Sequence, residues 1–386
     1  MNKTRSIIVL GLIAAGLGGL IGVVAGGFLH FIEWGQHLLW QVVSIDLPLQ
    51  PLIIGTLGGV LVGLCQRYLG DHPKGINEAI AEIRQTGRLD YAHLPHGLAT
   101  ISASLIFGAS LGPESAIMDL TGGLSTWLGD VIRALRQRLD VPLAAGPANR
   151  LISALRRWPN LTALAVGLVA FSRALNGLYS GGLLHVTESF QWSDLLWSVP
   201  LAVVGAAGGT LYLFLQERTR QWAAPLRSRP VLRGTLGGLA LGSIALGLPF
   251  VLFSGQHALQ SLYDQAAQLG FGLLFLTALA RLMMTSVLLA TGWKGGQFLP
   301  IMFGGAALGL SVSLLFPVIP TSVAVLSTMA ALIAVVLPKP VIALILMAVM
   351  FPLDYVGISG VAIGVVLIGQ RLLKQRAARL SAAPAA

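Results

Sequence analysis

Gly55-Thr56-Leu57-Gly58-Gly59 is written twice in this chain, returning as Gly234-Thr235-Leu236-Gly237-Gly238. Reading outward from the two copies, the same landmarks follow each in the same order. Some twenty residues on, a glycine opens an amphipathic stretch: Gly75-Ile76-Asn77 in the first half, Gly255-Gln256-His257 in the second. An apolar helix then leads to a glycine-rich break closed by proline. The first break reads Gly108-Ala109-Ser110-Leu111-Gly112-Pro113 and the second Gly292-Trp293-Lys294-Gly295-Gly296-Gln297-Phe298-Leu299-Pro300. Small residues are favoured wherever membrane helices approach closely, so a single five-residue match carries little weight. Three landmarks in register, offset by about 180 residues, mark an internal duplication. Paired hydrophobic segments interrupted by glycine and proline point to a binding site at mid-membrane, between inverted repeats.

Of 386 residues, 55% are apolar and 10% charged, against about 25% charged in soluble domains. Helix-like apolar spans run over about 5–32, 50–69, 94–110, 113–130, 160–186, 194–215, 232–253, 271–291, 299–316, 321–337, 339–353 and 355–373. Many approach the ~20 residues a helix needs to cross a hydrocarbon core, and several are too short to cross unaided. Amphipathic pieces lie at 75–85 and 256–268, and a basic connection at 133–158. The run from Ser6 to Phe31 is too long for a signal peptide and further apolar segments follow it, so it reads as the first membrane helix. The expectation is an all-α polytopic membrane protein, one transmembrane domain over 1–386. It is built of two inverted-topology repeats with discontinuous helices, at about 5–217 and 231–375, and ends in a short basic tail, 376–386.

The net charge of +10 does not imply nucleic acid. Lys3, Arg5, Arg156, Arg157, Arg227, Arg371, Lys374, Arg376 and Arg379 sit at segment ends and in short connections, the pattern of positive-inside orientation, which makes the C-terminus cytoplasmic. Trp34, Trp40, Trp158, Trp192, Trp197 and Trp222 fall near segment ends, where an indole suits the headgroup region. A lone cysteine, Cys65, excludes an intrachain disulfide.

A helix that starts inside the membrane leaves its first N–H groups without intrahelical partners and presents the positive end of its dipole, which attracts anions. Pro113-Glu114-Ser115-Ala116 starts such a helix directly after Gly112, and Leu299-Pro300-Ile301 starts another in the second half. Proline suits a first turn, and glycine lets a ligand approach the backbone. Two such ends converging would hold a small dehydrated anion firmly enough to enter and loosely enough to leave.

At these residues the chain resembles the CLC chloride channel and transporter family. Gly295-Gly296-Gln297-Phe298-Leu299-Pro300, followed by Gly304 and Gly305, is similar to the family's GGxFxP motif. Gly108 to Glu114 resembles its GxxGP stretch, in the SLGPE form of a divergent bacterial branch. Lys74-Gly75-Ile76-Asn77-Glu78 resembles GSGIP, with Lys74 in place of serine and Asn77 in place of proline. Phe171-Ser172-Arg173-Ala174-Leu175-Asn176-Gly177 is similar to FNAPLAG. The resemblance covers about residues 50–370. It implies an anion site formed by Lys74, Gly75, Ile76, Asn77, Gly112, Pro113, Gly295, Gly296, Gln297, Phe298 and Leu299, chloride as the ion, and a homodimer with one pore per subunit. It also implies a lipid-embedded transporter of small inorganic anions in a bacterial inner membrane, with no enzymatic activity, metal or cofactor.

The departures bear on mechanism. Leu111 stands where the family's gating glutamate precedes Gly-Pro, and the nearest acid, Glu114, follows the pair about one helical turn away. The family's inner proton-handling glutamate has no acid in register at Gly181-Gly182-Leu183-Leu184-His185, and its last-helix tyrosine has no counterpart. The expectation is therefore passive anion conduction, with proton-coupled exchange through Glu114 and a second acid as the alternative. A membrane-embedded enzyme would need polar catalytic groups clustered on facing helices, which the sequence lacks.

Several residues admit two readings. Glu114 is either a displaced gate, alongside Leu111, or an acid complementing a helix dipole. Lys74 draws anions into a vestibule or anchors the chain on the positive side, and Lys294 and Arg281 raise the same question. Asn77 and Gln297 donate hydrogen bonds to an anion or cap their helices. His93 and His96 lack the partners of a zinc site, Ser180 and His185 match no hydrolase pattern, and Asp354-Tyr355 after Pro352 reads as a turn.

Overall fold

A computed structural model describes residues 3–43, 49–73, 82, 85–86, 88–138, 184–185, 188, 190–337 and 339–382. All named elements among them are helical. They are α1 (Lys3–His37), α2 (Gln50–Leu69), α3 (Leu94–Ile106), α4 (Glu114–Arg138), α5 (Asp194–Ala223), α6 (Pro230–Ala245), α7 (Leu259–Asp264), α8 (Ala266–Ala290), α9 (Phe298–Leu315), α10 (Thr321–Val336), α11 (Pro340–Met350) and α12 (Val356–Ala382). Segments within α2, α5, α8, α9 and α12 are long and apolar enough to cross a membrane, while α3, α10 and α11 are short. Leu57, Leu196, Val203, Val341 and Ile368 are exposed on the outer faces, a surface suited to lipid.

The duplicated pentapeptides meet each other. α2 packs on α6, and a Cβ on Gly55 would reach the Gly238 carbonyl while one on Gly238 would reach the Gly55 carbonyl. Gly59 and Gly234 stand in the same reciprocal relation. First position meets last and last meets first, the self-complementary contact of a two-fold axis. Glycine is required here because backbone touches backbone, the small-residue mode of membrane helix packing.

The breaks also correspond. α3 ends at Ile106 and the chain turns through Gly108 at φ +84°; α8 ends at Ala290 and the chain turns through Gly292 at φ +93°. Only glycine adopts that conformation without strain. After the turns the two strips run past each other, and Gly112 and Gly296 form an antiparallel bridge. The Gly112 amide donates to the Gly296 carbonyl at 2.7 Å and the Gly296 amide to the Gly112 carbonyl at 2.6 Å. α4 and α9 each begin two residues beyond the paired glycines.

Two cores flank this seam. One gathers side chains of α5, α8, α9, α10, α11 and α12, and the other those of α2, α3, α6 and α8. α5, which the sequence reading assigns to the first repeat, packs on α8, α9, α10 and α12. The span expected over 232–253 ends at Ala245, because Gly247 and Pro249 cannot sustain a helix, and closes in a short 3-10 turn, Pro249–Val251. Trp34, Trp192 and Trp222 are exposed as anchors would be, whereas the Trp40 indole donates to the Ile106 carbonyl at 3.0 Å and closes the end of α3. Asp354-Tyr355 does form a turn, and the Tyr355 hydroxyl donates to the Glu188 carbonyl. The Glu188 carboxylate caps α10 by accepting the Thr321 and Ser322 amides at 3.3 and 2.9 Å.

Candidate functional site

The starts of α4 and α9 lie side by side because the Gly112–Gly296 bridge ties the residues before them together. Gly112, Gly295 and Gly296 have no side chain to fill the seam, and Glu114 uses the space. Its carboxylate folds back over both paired glycines: a Cβ on Gly112 or on Gly296 would collide with it. Glu114 Oε1 accepts the Leu299 amide at 2.6 Å, one of the free donors in the first turn of α9. Oε2 is buried and has no hydrogen-bond partner among the described residues. A first-turn acid on α4 thus occupies the N-terminus of α9, the place an anion would take. A carboxylate serves there as a tethered anion, since its oxygens accept the same N–H groups.

Leu111 is fully buried, and a Cβ on Gly295 would lie 2.6 Å from its own. With Pro113 it forms the floor of a cleft whose walls include Leu29, Glu33, Gln36, Ser254 and His257. Glu33 Oε1 lies 3.4 Å from His257 Nε2, so the cleft carries titratable groups on its rim. The sequence reading missed this rim. Glu33 lies at the end of a long apolar helix, with no spacing relation to His257.

Gln297 is the residue before α9, and its carboxamide meets α5: Oε1 accepts the Tyr212 hydroxyl at 2.8 Å and Gln216 Nε2 at 3.0 Å. Tyr212, also missed, is fully buried. Its polar partner one turn on, Gln216, on an otherwise apolar stretch, was the available signal. Phe298 is partly buried against the first of the two cores, and Pro300 is buried in the first turn of α9.

The cations are pinned. Lys294 Nζ lies 2.7 Å from Asp71 Oδ1 and donates to the Pro73 carbonyl at 3.0 Å. Partial burial opposes ionisation of Asp71, and the charge and hydrogen bond of Lys294 together with the charges of Arg233 and His72 outweigh it, holding the carboxyl below its usual range. Arg281 is fully buried; Nη1 donates to the carbonyls of Val251 and Leu252, the latter at 2.9 Å, and the guanidinium lies 4.6 Å from the Phe303 ring centroid. It clamps the turn after α6. His93 Nδ1 is tied to Asp90 at 3.0 Å, with its ring stacked on His72. Lys74, Gly75, Ile76, Asn77, the 171–177 segment and Ser180 lie outside the described residues.

Comparison with known proteins places this geometry. A family model, "Voltage gated chloride channel", matches residues 150–368, more than half the chain. The putative ion-transport protein YfeO of Salmonella typhimurium is 26% identical over 381 residues, covering 91% of each chain. Among solved structures, a CLC-type fluoride/proton antiporter superposes with TM-score 0.70 at 15% identity, over 95% of this chain and 96% of that one. A slow cyanobacterial Cl-/H+ antiporter superposes with TM-score 0.71 at 21% identity, over 92% and 93%. The two superpositions bear on the fold alone, an all-α membrane architecture with discontinuous helices. With the family model spanning most of the second half and a relative aligned nearly end to end, the chain belongs to the CLC family of voltage gated chloride channels and transporters, integral membrane proteins that carry anions.

Proposed function

We propose that the chain exchanges a small inorganic anion, chloride by preference, for protons, and that Glu114 is the group both pass. One observation carries the reading: the Glu114 carboxylate on the Leu299 amide, with its second oxygen buried and unpartnered. An ionised carboxylate competes with the transported anion for that donor. Protonation removes the charge and weakens the acceptor, so the anion takes the α9 terminus and Glu114 carries its proton away from it. Return of the carboxylate releases the proton and displaces the anion.

Passive conduction, the expectation from sequence, rests on the acid lying one turn past its usual place, on the absence of an inner acid in register at 181–185 and on the tyrosine without a counterpart. That displacement is offset by side-chain length across two glycines. Two proteins of the same fold are antiporters, for fluoride and protons and for Cl- and H+, which favours exchange. A candidate for the second acid is Asp119, five residues beyond Glu114 on α4, in the field of Lys294 and Glu82. Gly112, Pro113, Gly295, Gly296, Gln297, Phe298 and Leu299 line the anion position in this reading, Leu111 covers it, and the family resemblance adds Lys74, Gly75, Ile76 and Asn77. Two copies pair in the inner membrane of a bacterium, the basic C-terminus cytoplasmic. The packing of α5 on α8, α9, α10 and α12 favours a boundary between halves ahead of α5 rather than near residue 217.

The test is purified protein in liposomes with an imposed chloride gradient and internal pH recorded. Wild type should move protons uphill. Glu114→Gln, which keeps size and loses the charge, should abolish proton movement while chloride still flows. Loss of neither in the variant would remove Glu114 from the cycle.

A further inference from the structure

Gln297 stands at the mouth of α9, one residue past Gly296 and two before Leu299, whose amide holds Glu114. Its carboxamide has a fixed sense. Gln216 Nε2 donates to Gln297 Oε1 at 3.0 Å and to the Tyr212 oxygen at 3.4 Å. The Tyr212 hydroxyl, receiving that donor, places its single proton on Gln297 Oε1 at 2.8 Å. Flipping this carboxamide alone would set its NH2 against the Gln216 NH2 and lose that bond. Tyr212 is fully buried in the larger core, so the clamp is rigid. With Oε1 facing α5 and twice bonded, the two N–H groups of Gln297 Nε2 are left without a protein acceptor among the described residues, on a side chain that is only partly buried.

We propose that the Gln297 carboxamide is a side-chain donor to the transported anion, oriented by Tyr212 and Gln216, and that it sets the ranking among anions. The inference rests on the reading above, which puts the anion at the start of α9. Backbone N–H groups alone discriminate poorly among small anions. A fixed additional donor replaces a water that a strongly hydrated anion gives up reluctantly, so it favours chloride over nitrate and nitrate over thiocyanate. Gln297 touches the anion; Tyr212 acts through Gln297 and is a positioning residue.

The test uses the full chain in liposomes, with efflux of chloride, nitrate and thiocyanate, and chloride titration calorimetry in detergent. Gln297→Leu should weaken chloride binding about tenfold, the worth of a hydrogen bond to a charged group, and shift selectivity toward thiocyanate. Tyr212→Phe should shift the ranking in the same direction by less, and should add nothing to Gln297→Leu, since the two act on one donor. If Gln297→Leu does not fold, Tyr212→Phe and Gln216→Leu alone must still move the ranking. Unchanged chloride affinity and ranking in a folded, transporting Gln297→Leu protein overturns the proposal, as does full additivity of Tyr212→Phe. Proton movement in the same vesicles separates the two readings. Passive flux with altered selectivity overturns exchange and leaves Gln297 in place; coupled exchange with unaltered selectivity does the reverse.

Discussion

A carboxylate seated on a helix N-terminus can stay there as a dipole partner or leave as a gate, and the surroundings of Glu114 favour departure. Among the described residues only one of its oxygens is bonded, by Leu299, and no cation pairs with it. The seat exists because Gly112 and Gly296 lack side chains. Gly296→Ala should therefore lower stability by about 1–3 kcal/mol, the range for overpacking. Most of that loss should vanish when Glu114 is also replaced by alanine, since the methyl and the carboxylate contend for one space. Thermal melts of the four proteins of this cycle measure the coupling, and equal losses in both backgrounds would place the clash elsewhere. At this scale the sequence was informative about residue types and poor about reach. Counting positions put Glu114 a turn away from the family's gate, and it gave no sign that the three-bond side chain folds back over Gly112 and Gly296, the reach on which the proposed gate role depends. Arg281 and Lys294 were legible as buried-segment cations, but their engagement with the carbonyls of Val251 and Leu252 and with Asp71 depends on chain segments brought together only by folding.

Among the elements, α2 and α6 have the closest helix-helix packing in the seam. Their contact is backbone against backbone through Gly55, Gly59, Gly234 and Gly238. Gly59→Leu should separate the pair and lower the melting temperature sharply. The same change at Gly247, where a Cβ would meet nothing within 4 Å, should be nearly silent. Similar melts for the two variants would contradict the packing account. The pentapeptide repeat was legible as repetition, yet not as an interface, because a linear string carries no sign that its two copies touch. The expected spans 94–110 and 232–253 overran the helix ends at Ile106 and Ala245, although Gly108 and Pro249 offered the signal to stop. The end of α5 at Ala223, eight residues past the expected span, was hidden by its polar last turns, which extend beyond the apolar window.

For the whole molecule, pseudo-two-fold pairing brings two helix starts to one point, and the proposed anion position is that convergence. The duplication, the membrane class and the family resemblance were all present in the sequence. The packing of α5 on α8, α9, α10 and α12 was not, since it depends on segments brought together by folding. Coupling of anion to proton movement is a property at this scale, and the reversal potential of the wild-type protein in a planar bilayer tests it most directly. With a fixed chloride gradient and a variable pH gradient, exchange predicts a reversal potential that moves steadily with the pH difference. A reversal potential that stays at the chloride equilibrium value at every pH difference would contradict it.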